Sequence, residues 1–155
     1  MNIDCQWLEE SVFLCKLNSD ERALLESLYE VLEFSADEMM VRQGEMGGQL
    51  YLIRSGSARI SYRSDGESVQ VSKIGEGALF GEVSFLTGDP IGATVKASER
   101  CVVYSLSRSA YSELMVKNQD LVYSLFAHML VYAGSVIRSM NIEHSALRKK
   151  LSGCL

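Results

Sequence analysis

Between residues 33 and 108 the apolar residues come in short runs cut by glycine: Met39-Met-Val, Gly44, Gly47-Gly48, Tyr51-Leu-Ile, Gly56. A helix needs a longer periodic face than such runs offer, whereas strands of a few residues fit them. Ala58-Arg-Ile-Ser-Tyr-Arg alternates, Asp65-Gly66 is a two-residue hairpin signal, and Val69-Gln-Val-Ser-Lys-Ile alternates again. Gly75, Gly77 and Gly81 follow, then Thr94-Val-Lys-Ala and Cys101-Val-Val-Tyr-Ser-Leu. Many short strands at close intervals, with turn residues between them, predict a β-sandwich or barrel.

Helical patterns flank this region. Asn18-Ser-Asp-Glu21 reads as a capping box, and Leu24, Leu25, Leu28, Val31 and Leu32 recur at helical spacing. Together they predict a helix over about 19–31. Trp7-Leu8 and Val12-Phe13-Leu14 read as a shorter helical stretch. After Ser107 the helical period returns, with Ser109-Ala-Tyr-Ser-Glu-Leu-Met as a short helix and a long one from about 119 to 150. In the long helix Val122, Phe126, Met129, Ala133, Val136 and Met140 step by four and three residues, the spacing of a coiled-coil seam. Leu125, Leu130 and Ile137 broaden that side. The seam runs past the length a small barrel covers, which predicts a homodimer. The expected organisation is a single, mainly β domain over 1–155: N-terminal helices in 1–32, strands in 33–108 and C-terminal helices in 109–155.

A chain of 155 residues can bury one full core. No uninterrupted apolar run approaches about 18 residues, so no membrane span is expected. The start, Met-Asn-Ile-Asp-Cys-Gln-Trp-Leu-Glu-Glu, lacks the basic-then-apolar order of a signal peptide, and a cytoplasmic location is expected. The net charge of −5 argues against a nucleic-acid-binding face. The one basic cluster, Arg148-Lys149-Lys150, suits a helix C-terminus. Cys5, Cys15, Cys101 and Cys154 are scattered and far in sequence from His128 and His144, so neither a metal site nor a metal cofactor is expected. Both histidines fall on the long helix, with His128 expected at its surface or at the dimer contact. No nucleophile–base pairing is legible, so the chain does not read as an enzyme.

Residues 80–95, Phe-Gly-Glu-Val-Ser-Phe-Leu-Thr-Gly-Asp-Pro-Ile-Gly-Ala-Thr-Val, hold the one chemically suggestive stretch. A short helix opening at Gly81 would point free N–H groups outward, and glycine lets an anion approach the backbone. Glu82 places a carboxylate just inside that turn, and Gly92, Ala93 and Thr94 leave room for a ligand. A buried phosphate wants a cation beside it, yet the residue between Pro90 and Gly92 is Ile91.

Three segments in this order and spacing carry a resemblance. They are Arg42-Gln-Gly-Glu-Met-Gly-Gly-Gln-Leu-Tyr-Leu-Ile-Arg-Ser-Gly56, Gly77-Ala-Leu-Phe-Gly-Glu-Val-Ser-Phe-Leu and Gly88-Asp-Pro-Ile-Gly-Ala-Thr-Val95. Over about residues 10–145 the chain resembles the cyclic nucleotide-binding domain family, the β-roll of catabolite activator proteins and protein kinase A regulatory subunits. The resemblance implies a double-stranded β-helix, or jelly-roll β-roll, with N-terminal helices and a long C-terminal helix. It implies a ligand site at Phe80, Gly81, Glu82, Val83, Ser84, Ile91, Gly92, Ala93 and Thr94, with cyclic AMP or cyclic GMP as the ligand. Glu82 would accept a hydrogen bond from the ribose 2′-hydroxyl.

Two departures weaken that ligand. The family's binding members carry an arginine at the place of Ile91, paired with the phosphate. A charge-assisted hydrogen bond is worth about 1.5–3 kcal/mol, so its loss removes roughly tenfold to a hundredfold or more in affinity. Val136 and Ile137 fall where the long helix of the activator protein offers hydroxyls to the purine, and both are apolar. Arg54, Arg59, Arg63 and Lys73 lie on or beside predicted strands and are the candidate substitute cations. Few residues follow Leu151, so the helix-turn-helix of the family's transcription activators, and with it direct DNA binding, is not expected. Two readings stand at this point. One is a sensor that binds a cyclic nucleotide or a related small ligand and signals through its long helix to a protein effector. The other is a ligand-independent dimerisation or interaction module whose pocket Ile91 closes.

Overall fold

The computed structural model describes residues 2–153. Helix α1 (Cys5–Leu8) is capped by Asp4, whose carboxylate accepts the Trp7 N–H at 3.0 Å, and it runs on as a π-helical turn over Glu9–Phe13. Helix α2 (Ser19–Leu28) opens on the expected capping box: Asn18 accepts the Glu21 N–H and Glu21 accepts the Asn18 N–H, each at 2.9 Å.

Helix α2 stops at Leu28 and not near residue 31. Tyr29 is already extended, and β1 (Tyr29–Phe34) pairs antiparallel with β8 (Cys101–Ser107), Tyr29 opposite Leu106 and Phe34 opposite Cys101. The β-roll therefore begins at residue 29 and not 33. Aromatic and β-branched side chains suit a strand packed on its neighbour, and a full ladder to β8 outweighs one more turn of helix.

Strands β2 (Met39–Val41), β3 (Gln49–Ser55), β4 (Ala58–Ser64), β5 (Glu67–Ile74), β6 (Leu79–Phe80), β7 (Thr94–Ala97) and β8 complete the roll, with α3 (Glu82–Thr87) between β6 and β7. They form two antiparallel four-stranded sheets, β1-β8-β3-β6 and β2-β7-β4-β5. Asp65 (φ 52°) and Gly66 (φ 85°) both turn left-handed between β4 and β5, as a two-residue hairpin requires. The first sheet is buried on both faces. Leu50, Leu52, Tyr104 and Leu106 meet the helices, while Ile53, Cys101 and Val103 meet Val41, Ala58 and Val95 of the second sheet. This double burial explains why β3 and β8 read as continuous apolar runs.

Helices α4 (Arg108–Lys117) and α5 (Gln119–Ser152) follow. Leu121, Leu125 and Met129 of α5 are buried in the helix-side core, with Val122 and Tyr132 packed against it. The expected seam therefore does not stay free, because the fold consumes Met129 and part of Val122. The row left exposed is Phe126, Leu130, Ala133, Ile137, Met140, His144, Leu147 and Leu151. By length and composition alone α5 is also apolar enough to cross a membrane, although Ser124, His128 and Ser135 break its apolar runs, because its mean hydropathy stays high. In this fold its first half instead docks on the roll. His128 is not a surface group: it is half-buried, with Nε2 sealed from solvent, and burial lowers its pKa.

Candidate functional site

The loop from β6 through α3 to β7 closes one end of the roll beneath α5. Gly81 begins α3 at φ 74°, and a Cβ there would fall 2.9 Å from the Gln49 carbonyl oxygen and 3.0 Å from the Tyr51 ring. Both conformation and space require glycine. The buried Ser84 donates from Oγ to the Asp89 carbonyl at 2.5 Å, tying α3 to the turn that follows it. Arg108 braces α3 from behind, donating to the Phe85 carbonyl with its guanidinium over the Phe85 ring.

Ile91 is held by its backbone. Its N–H donates to the Glu45 carbonyl at 2.8 Å and its carbonyl accepts the Gly44 N–H at 2.7 Å, while Pro90 bridges to Met46. Its side chain packs partly into the inter-sheet core.

A cavity of about 340 Å³ opens between this loop, the inner faces of β4 and β5, and α5. Phe80, Gly81, Glu82, Val83, Ser84, Ile91, Gly92, Ala93 and Val136 all border it. Thr94 and Ile137 do not. Thr94 accepts the Gln43 N–H at 3.0 Å on the other side of β7, because Val95, the next residue, takes the inward position. Ile137 lies one residue beyond Val136, about 100° around the helix, and is exposed. The sequence reading missed Ile60, Ser72, Ile74 and Tyr132 as lining residues. Strand alternation marks Ile60, Ser72 and Ile74, and Tyr132 sits one helical turn before Val136.

The wall is apolar except for Ser72, Ser84, Glu82 and the Tyr132 hydroxyl. Burial pushes the Glu82 carboxyl above its usual range. Burial also raises the Tyr132 phenol, and the Glu82 charge adds to that shift. Among the described residues no lysine or arginine borders the cavity. Arg54 is committed to Asp4 (2.8 Å) and Glu76 (3.5 Å), with its guanidinium over the Trp7 ring. Arg59 pairs with Asp37. Arg63 sits at the exposed end of β4. Lys73 borders a second, outer groove of about 930 Å³ between β5 and the distal half of α5. Such a site can enclose a flat apolar body and accept hydrogen bonds at Glu82, but it offers no cation to an anion.

The family model for the cyclic nucleotide-binding domain matches residues 31–118, more than half of the chain. A cAMP-dependent protein kinase regulatory subunit from Mucor circinelloides f. lusitanicus is 33% identical over 116 residues, which are 75% of this chain and 27% of that protein. The chain spans about a quarter of the length of the curated relatives it matches. The crystal structure of a cyclic nucleotide-binding domain from Methylobacillus flagellatus is similar at TM-score 0.77 and 22% identity, over 90% of this chain and 83% of that one, a likeness of fold. The regulatory subunit of a cAMP-independent protein kinase A from Trypanosoma cruzi, bound to guanosine, is similar at TM-score 0.62 and 28% identity, over 76% of this chain and 43% of that one. A β-roll, a loop of this geometry closing it beneath a long helix, and a family model matching over half its length agree: the chain belongs to the cyclic nucleotide-binding domain family.

Proposed function

We propose that this chain is a non-enzymatic regulatory domain whose β-roll cavity binds an uncharged nucleoside in preference to a cyclic nucleotide, with α5 reporting occupancy to a protein effector. One observation carries the reading: among the described residues the cavity wall holds the Glu82 carboxylate and no cation. A cyclic phosphate would bring a negative charge to a wall made of Ile91 and Glu82. Leaving it unpaired forgoes the charge-assisted bonds worth about 1.5–3 kcal/mol each and adds a desolvation cost. A nucleoside brings hydroxyl donors instead, which Glu82 can accept. The guanosine bound to the Trypanosoma cruzi relative supports the choice of a nucleoside. The open volume beside Ile91 favours a ligand sensor over a closed, ligand-independent module. Tyr132 and Val136 put α5 in reach of the ligand, so occupancy can bias how that helix docks. We place self-association on the same helix, along its exposed apolar row.

Calorimetric titration with guanosine, adenosine, cyclic AMP and cyclic GMP, with melting followed in parallel, tests this. A nucleoside should bind at least about tenfold more tightly than either cyclic nucleotide. At about 100 Kd it should add about 2.7 kcal/mol of stability. A cyclic nucleotide that binds more tightly than both nucleosides overturns the reading, as does silence from all four with the folded protein.

A further inference from the structure

The exposed row on α5 steps by four and three residues without a break from Phe126 to Leu151. Setting Leu130, Ile137, His144 and Leu151 at a makes the alternate members of the row d, and it leaves one polar residue, His144, in an otherwise apolar seam. The flanking charges choose the partner. Glu143 takes a g position and Arg148 the e position five residues later, the pair that meets between the helices of a parallel two-stranded coil. In an antiparallel pair e meets e, and because the other e positions, Gly134 and Asn141, carry no charge, Arg148 would find no carboxylate there. The matching surface for this row is therefore the same row on a second copy in parallel register.

We propose that α5 pairs two copies as a parallel coiled coil in which the two His144 imidazoles face each other in one core layer, so that acidification opens the pair. The proposal rests on the self-association read above. Equal a positions meet at one level in a parallel pair, and Met140 and Leu147 enclose the layer above and below. The groups around it are Glu143 and Arg148 on α5, the same two on the second copy, and Lys73, which faces His144 across the outer groove from β5. Glu143 is engaged with Arg148 of the second copy, so two imidazolium ions would meet with Lys73 and Arg148 nearby and no free carboxylate. Desolvation and like charge both disfavour the protonated layer. The separated chain leaves His144 exposed to water, where an imidazolium keeps its hydration. Dissociation therefore binds protons, and the pair weakens as pH falls through the range in which histidine side chains change charge.

Sedimentation equilibrium of the full chain and of His144→Leu, at about pH 7.5 and pH 5.5, tests the layer. The parent chain should be dimeric at the higher pH, with its dissociation constant at least about tenfold weaker at the lower one, one such factor being the effect of a single pKa unit. His144→Leu should pair more tightly and change less than about twofold between the two. Equal pH dependence in both proteins overturns the proposal, as does none in the parent. A monomer in every condition instead overturns the self-association itself. Leu147→Cys, in a chain with Cys15→Ser and Cys154→Ser, checks the register independently. It should oxidise to an inter-copy disulfide, because equal d positions lie side by side only in the parallel pair, and failure to cross-link a dimer refutes that orientation.

Discussion

Replacing Ile91 by arginine should convert the cavity to phosphate recognition. The backbone at 91 is fixed by the bonds to Glu45 and Gly44, so the new side chain starts from a Cα that stays in place and that borders the cavity beside Glu82. Ile91 is only partly buried, so removing its packing costs about 1–2 kcal/mol of the 1.5–3 expected for a fully buried aliphatic side chain. Glu82 is half-buried on a wall without a cation and offers the guanidinium a partner, which offsets part of that loss. The free variant should therefore melt only slightly lower, about 2–4 °C for each kcal/mol lost in a chain of this size. Cyclic AMP or cyclic GMP should gain about 1.5–3 kcal/mol from the new contact, roughly ten- to a hundredfold or more in affinity. Titration calorimetry on both proteins reads the ratio, and a melting shift at saturating nucleotide confirms it. A folded Ile91→Arg protein with no gain for either cyclic nucleotide would show that the missing cation is not what bars the phosphate.

Four further substitutions, one of them a control, probe the same end of the roll and its support. Gly47→Ala would place a Cβ 2.8 Å from Ser84 Cβ and 3.3 Å from Ile91 Cγ1. It should cost roughly 1–3 kcal/mol and weaken the ligand by displacing α3. Gly75→Ala, whose Cβ would meet only the Gly56 carbonyl oxygen at 3.8 Å, is the matched control in a melting experiment. Two carboxylates should give opposite pH profiles. Burial raises the Glu82 pKa, so its charged form opposes folding and stability falls as pH rises through the folded value. Glu82→Gln should melt higher than the parent at neutral pH, match it near pH 4, and bind the nucleoside more weakly. Glu9 is buried and accepts the Leu17 N–H at 3.0 Å beside Arg22 and Lys16, which together hold its pKa below the usual range. Its stabilisation is present above the ordinary carboxylate range and lost as pH falls through the lower folded value. Glu9→Gln should melt lower at neutral pH, with the difference closing only in strong acid.

The elements that local chemistry decides were legible in the sequence. The Asn18–Glu21 box and the Asp65-Gly66 turn act over four residues or fewer, and both stand where their residues placed them. The short strands between glycines were equally readable, since each needs only a few residues of the right type. What failed depended on distant partners. Val31 and Leu32 continue the apolar spacing of α2, and only the ladder to β8, some 70 residues away, makes them strand. The face of α5 that meets the core was hidden for the same reason. Two rows of apolar side chains run along that helix at coiled-coil spacing, and only the docking of Leu121, Leu125 and Met129 decides which row is spent. In the candidate site Thr94 and Ile137 each stand one residue from a lining position, Val95 and Val136, the distinction to which strand and helix periodicity are most sensitive.

The substitute cations show how far tertiary structure constrains the ligand. Arg54 and Arg59 could not be told from cavity residues by alternation, because their partners Asp4 and Asp37 lie 50 and 22 residues away. Delivering Arg54 to the cavity would break its pairs with Asp4 and Glu76 and its stacking on Trp7. Asp4 also caps α1 and offers its N–H to the Tyr104 hydroxyl at 2.8 Å, and Glu76 accepts the Trp7 indole N–H at 2.6 Å. The move would thus loosen the N-terminal helices from the roll as well as free a guanidinium. Release of Asp4 alone forfeits a charge-assisted bond of about 1.5–3 kcal/mol, which is as much as the phosphate contact would return. Rearrangement of Arg54 therefore gains nothing, whereas position 91 of the loop would bring a cation to the cavity without that cost.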